Sequence, residues 1–167
     1  FVLDEGTRRV IRLDPEELEE TVARGRRVWV DVLSPGKDDI GRLKDLFHFH
    51  DLALEDVLNN DVRPKQETYD EVLFTVFGCI NLNPDDLYTI NLKLFLTPKY
   101  LVTAHCKPLK TVRTAIRNAE KGRGGLVKGT DFLYYRLLDG VIDQYLDFTD
   151  DFEDGISDIE KAIFAER

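Results

Sequence analysis

The sequence of 167 residues has no methionine, and serine and cysteine occur only twice each. Without a methionine, Phe1 is not a native start, and the pattern runs on helically to Arg167. The chain is therefore expected to be a piece of a longer protein. Neither Ser34 nor Ser157 sits in a G-x-S-x-G turn, which removes the common serine-nucleophile arrangement. Cys79 and Cys106 form no C-x-x-C pair and no metal-ligand spacing, so no disulfide framework is expected and a reducing compartment fits. Long apolar runs are missing too. The longest, Val72 to Ile80, falls far below the ~20 residues of a membrane span. Phe1 to Arg12 lacks the apolar centre of a signal peptide.

Basic residues are in deficit, 23 against 32 acidic ones, for a net charge of -9 and a pI of about 4.8. Nucleic-acid phosphates and anionic lipid surfaces both call for the opposite sign. Such a chain attracts cations instead. No P-loop and no G-x-G-x-x-G is present. His48 and His50, if helical, would point ~200° apart and could not share a metal; surface or capping roles suit them better. An enzyme reading therefore lacks a nucleophile, a cofactor fingerprint and a dedicated metal cage.

At 43% hydrophobic and 33% charged, the composition is that of a folded domain. Phe1 to Leu3 and Arg8 to Leu13 read as a hairpin around Asp4-Glu5-Gly6-Thr7. Asp14, Pro15 and Glu17 look like a capped helix start, with the helix ending near Gly25. Val28 to Leu33 carries apolar residues on both sides of its alternation, as a central strand does. Ser34-Pro35 opens a helix to Phe47, and a short one follows over Asp51 to Leu58. Strands are expected at Glu71 to Ile80, Leu87 to Leu96 and Tyr100 to His105, in a meander with a turn at Asn83-Pro84-Asp85-Asp86. In the second of these, Tyr88, Ile90, Leu92, Leu94 and Leu96 define a buried face, and Thr89, Asn91, Lys93 and Phe95 a mixed one.

A basic helix, Leu109 to Glu120, leads into the glycine-rich Lys121 to Gly125. The last helix begins near Thr130. Its apolar positions, Tyr134, Leu138, Val141, Tyr145, Phe148, Phe152, Ile156, Ile159 and Ile163, recur in steps of three and four, close to a heptad seam. The fold class is α/β (α+β): a mixed sheet sandwiched by helices, with a long C-terminal helical arm. Residues 1–129 would form the α/β/α domain and 130–167 the acidic amphipathic helix. Opposite the stripe run Asp139, Asp143, Asp147, Asp150, Asp151, Asp154 and Asp158. Like charges at this spacing cost a few tenths of a kcal/mol each in an isolated helix. Either the face is simply solvated, or something positive lies nearby, such as a basic surface or hydrated Mg²⁺, which keeps its waters and needs only one or two carboxylates.

Leu52 to Phe77, LALEDVLNNDVRPKQETYDEVLFTVF, closely resembles the LEDxLN…RPKxExY signature of CorA magnesium and cobalt transporters. The strand VWVDV (Val28 to Val32), the stretch LFLTPKYLVTAH and the helix start DFLYYRLLDGVID are similar to further segments of that family. His50-Asp51 replaces the family's usual His-Pro, and its transmembrane helices and Gly-Met-Asn signature are not in this stretch.

The resemblance implies a cytoplasmic metal-sensing and gating domain, not an enzyme, of a homopentameric transporter in the cell membrane. Mg²⁺ would be both regulatory and transported ion, with Co²⁺ or Ni²⁺ as further candidates. It places divalent ions between neighbouring subunits, where they hold the closed state. Carried over residue by residue, it points to Glu55, Asp56 and Asp139 as metal ligands. Adjacent helical residues diverge by ~100°, so Asp56 rather than Glu55 is the better direct ligand. The isolated chain is expected to be monomeric or weakly associated. A zinc transporter of the related ZntB branch, or a stand-alone interaction module, is the alternative. The rest of the reading frame, with or without two hydrophobic spans, separates them.

Overall fold

The computed structural model describes residues 1–4, 9–12, 14–81, 88–122 and 125–165. Seven strands form one mixed sheet: β1 (Val2–Asp4), β2 (Arg9–Ile11), β3 (Val28–Leu33), β4 (Lys65–Tyr69), β5 (Val72–Asn81), β6 (Tyr88–Leu96) and β7 (Tyr100–His105), in the order β2-β1-β3-β7-β6-β5-β4. β3 and β7 run parallel in register Val28↔Tyr100 to Leu33↔His105, and the other pairs are antiparallel. The anticipated hairpin, interior strand β3 and meander are all present. The turn residues 5–8, the 83–86 turn and part of the 121–125 segment lie outside the described residues.

The helices are α1 (Leu18–Ala23), α2 (Lys37–Phe47), α3 (Asp51–Leu58), α4 (Lys110–Glu120) and α5 (Thr130–Ala165). Two expected starts differ. Asp14 makes no side-chain cap bond and leads into a 3₁₀ turn at Pro15–Glu17, so the capping box there is not used. α2 starts at Lys37 rather than at Ser34-Pro35. Ser34 has φ 56, outside the helical region, and the Gly36 N–H donates to Asp39 Oδ2 at 2.8 Å.

Strand alternation divides the core between two faces of the sheet. On one, Leu43, Phe47, Phe49, Ala53, Leu54 and Val57 from the α2–α3 region pack on Phe74, Val76, Phe95, Val102 and Ala104. Phe49 stacks on Phe95 with ring centroids 4.0 Å apart. On the other, Val112 and Ala119 of α4 and Leu133, Leu137 and Val141 of α5 cover Trp29, Cys79, Ile90, Leu92, Leu94 and Leu101. The sheet is thus sandwiched by helices.

Two expectations about side-chain faces need correction. β6 is buried on both sides from Ile90 to Phe95, Asn91 and Lys93 included. The inner seam of α5 runs through Leu133, Leu137, Val141 and Gln144, while Tyr134, Leu138 and Tyr145 are only partly buried. The distal members of the expected stripe, Phe152, Ile156, Ile159 and Ile163, are exposed. α5 has 36 residues, a length of about 54 Å at 1.5 Å per residue. Its second half projects beyond the sheet layer as an arm.

Candidate metal site

α3, which carries Glu55 and Asp56, is short, and both its ends are fixed by side chains. His50 takes the N-cap position, and its Nδ1 accepts the Leu52 N–H at 3.3 Å. Ala53, Leu54 and Val57 anchor the inner face in the core. Full burial of residues like Leu54 and Val57 contributes about 1.5–3 kcal/mol each.

At the C-terminal end the carbonyls have no helical partners. Lys93, only 1% exposed, reaches them from β6: its Nζ donates to Val57 O at 3.1 Å and Asn59 O at 2.9 Å. Two positions along the same strand face, Asn91 Nδ2 donates to Asn60 O at 3.2 Å and Val62 O at 2.6 Å. Burial pulls the Lys93 pKa below the ordinary lysine value. The carbonyl dipoles at a helix C-terminus offset that cost, because they favour a cation. The "mixed" face of β6 is therefore a polar clamp on α3 and the segment after it.

The outer face of α3 meets β4, a strand not anticipated from the sequence. Lys65, Glu67 and Tyr69 share one side of it, as alternate residues do. Lys65 Nζ lies 2.8 Å from Asp56 Oδ2 and 2.9 Å from Glu67 Oε2. Tyr69 OH donates to Glu67 Oε2 at 2.8 Å, and its ring stacks on His50 with centroids 4.5 Å apart. The hydrogen bonds from Lys65 to Asp56 and Glu67 raise the Lys65 pKa well above its ordinary value. Asp56 keeps 19% of its side chain exposed. Glu55 is exposed on the neighbouring direction of the helix.

Asp139 lies elsewhere. It is on α5, where Oδ2 is 3.0 Å from Arg136 Nη1 and Oδ1 accepts from Tyr135 OH at 3.2 Å. α3 and α5 cover opposite faces of the sheet. β4 shows the division directly: Lys65 turns to Asp56, whereas Gln66 Nε2 donates to Tyr134 OH of α5 at 3.3 Å. Asp56 and Asp139 of one chain are therefore not brought together. Among the described residues no group of three His, Cys, Asp or Glu side chains could hold a metal. Along α5, Asp143, Asp147, Asp150, Asp151 and Asp154 have no ion-pair partner among the described residues, while Asp158 pairs with Lys161 at 3.1 Å.

A second polar cluster lies between β3, β7 and the α4–α5 layer. His105, 3% exposed, has Nε2 3.2 Å from Asp31 Oδ1 and Nδ1 2.7 Å from Lys107 O. The Thr103 hydroxyl donates to Asp31 and accepts Trp29 Nε1–H at 3.1 Å. Burial works to lower the His105 pKa. The hydrogen bond and charge of Asp31, with help from the Lys107 carbonyl, outweigh it and raise the value above normal. Cys79 and Cys106 are both free, and burial pushes the Cys79 thiol up to about 12. The His–Asp pair ties β3 to β7.

A mixed sheet thus carries α3 clamped on one face and a long acidic helix on the other. The family model for "CorA-like Mg2+ transporter protein" matches residues 25–167, and the chain belongs to that family. The cobalt/magnesium transport protein CorA of Thermotoga maritima is 27% identical over 140 residues, covering 81% of this chain. The chain spans 40% of that relative's length and at most 41% of the other curated relatives it matches. The soluble domain of CorA from Methanocaldococcus jannaschii superposes with a TM-score of 0.75 at 18% identity, over 94% of this chain and 62% of that one. The ZntB cytoplasmic domain of Vibrio parahaemolyticus gives 0.62 at 19% identity, over 74% and 52%. No helix among the described residues is long and apolar enough to cross a membrane.

Proposed function

We propose that this chain is the cytoplasmic metal-sensing and gating domain of a CorA-type transporter, a homopentamer in the cell membrane. Mg²⁺ is the regulatory and transported ion in this reading, and Co²⁺ a second substrate. The observation that carries it is the family match across residues 25–167. The donor chemistry supports it: Glu55, Asp56 and Asp139 offer hard carboxylate oxygens, the ligands Mg²⁺ takes.

The sheet stands between Asp56 and Asp139 of one chain, so a site using both requires two chains. Asp56 lies on a helix anchored by Lys93 and Asn91 and turns to Lys65 with part of its side chain in solvent; in this reading that part meets a neighbouring subunit. Asp139 begins an acidic face whose self-repulsion is unrelieved along most of α5. A divalent ion bound between two such surfaces supplies the positive charge that offsets their repulsion. Differential binding to the closed arrangement then shifts the population toward it.

In the full-length protein, Mg²⁺ should protect this domain against limited proteolysis, and the Asp56→Asn/Asp139→Asn double variant should lose that protection. Equal Mg²⁺ dependence in both proteins would refute the assignment. Zinc is the second reading, favoured by the likeness to the ZntB domain. Zn²⁺ prefers nitrogen and sulfur donors, and His50 Nδ1 is already engaged in capping α3. Protection by micromolar Zn²⁺ but not by Mg²⁺ would select it.

A further inference from the structure

The carboxylate proposed to meet a divalent ion already holds a cation. Lys65 Nζ is 2.8 Å from Asp56 Oδ2, and Asp56 is mostly withdrawn from solvent, with 19% of its side chain exposed. The same ammonium is 2.9 Å from Glu67 Oε2. Glu67 in turn is held by Tyr69, whose ring stacks on the N-cap residue of α3. Lys65 therefore has two docking points on one strand–helix seam. Loss of the first leaves the second in place.

We propose that Lys65 is a built-in competitor for the Asp56 site: it occupies the carboxylate when no divalent ion is present and shifts onto Glu67 when one binds. This rests on the reading of Asp56 as a metal ligand. The arrangement sets the ion affinity lower than a bare aspartate would, because every binding event exchanges one cation for another. Divalent charge favours the exchange, since it interacts with the carboxylate twice as strongly as an ammonium at equal distance. A monovalent ion has no such advantage, so Lys65 also discriminates by charge. Glu67 keeps the displaced ammonium from being stranded, which makes the exchange reversible. Arg136 holds Asp139 in a similar but more exposed pair.

The test is a MgCl₂ titration of the isotope-labelled chain, followed by the backbone amide shifts of Asp56 and Lys65. Lys65→Met should bind about two- to fivefold more tightly than wild type, the range an ion pair of this exposure commands. Lys65→Arg, which keeps the cation, should match wild type. In an Asp56→Asn background the gain from Lys65→Met should vanish. If Lys65→Met does not fold, Lys65→Gln carries the same comparison. Asp56-dependent binding in wild type with no gain in the Lys65 variants overturns the competitor role and leaves the ligand assignment standing. Shifts independent of Asp56 in every protein overturn both.

Discussion

Replacing Lys93 by methionine tests how α3 is held. The substitution keeps an unbranched apolar stem, one atom shorter, and removes the ammonium. Two hydrogen bonds disappear, at 3.1 Å to Val57 O and 2.9 Å to Asn59 O. Bonds from a charged donor contribute about 1.5–3 kcal/mol each, and an unsatisfied buried carbonyl costs about 1–3 kcal/mol. Against this, the variant no longer buries a charge, and the methionine gains apolar contact. The net expectation is a loss of about 3 kcal/mol. For a chain of this size that corresponds to a melting temperature lower by about 6–12 °C. Urea unfolding measures the free energy, and hydrogen exchange at Val57 to Val62 locates it. Those amides should lose protection before the β5–β6 amides do. A Lys93→Met protein as stable as wild type, with unchanged exchange at the end of α3, would refute the clamp.

Asp31→Asn should change how stability depends on pH. The folded His105 pKa is raised, so the pair's contribution is complete below the unfolded value near 6.5 and is lost as pH rises through the folded value. Wild type should lose that contribution over this window and the variant should not, as melts from pH 5 to 9 would show. At Gly140 an added Cβ would stand 2.7 Å from Thr111 Oγ1. Gly140→Ala should therefore destabilise by about 1–3 kcal/mol through overpacking, and Thr111→Ala should recover part of it in chemical denaturation. Limited digestion with a protease specific for acidic residues should cut first beyond Phe148, where α5 is exposed. Mass spectrometry should identify the cuts, and the remaining core should keep its melting temperature.

Apolar periodicity carried much of the fold, as β3, β5, β6 and β7 each show. β4 escaped because Lys65-Gln66-Glu67-Thr68-Tyr69 has no apolar alternation. It is an edge strand that puts a polar ladder against α3 and Gln66 against α5. A lysine among leucines in β6 suggests a solvated face, and only the position of α3 shows that Lys93 answers helix carbonyls. The α5 seam was misplaced for a related reason. Leu133 and Leu137 alternate with Tyr134 and Leu138, and which pair turns inward depends on α4 and the sheet. The motif singled out Asp56 as a candidate ligand; that Lys65 of the same motif pairs with it was not legible, because ion pairing across a helix–strand seam leaves no periodic trace.

The unbroken run of α5 has a mechanical consequence. Its first part is bolted down by Leu133, Leu137 and Val141, and by Tyr145 OH on Gly78 O at 3.0 Å. From Thr149 to Phe164 it touches little else and bears its row of carboxylates in solvent. That free length is about 24 Å at the helical rise per residue. It acts as a pointer on a pivot: a tilt of about 5° at its root sweeps the tip through about 2 Å. A change in side-chain packing too small to disturb the sheet would thus reappear at the far end as a movement the width of an ion.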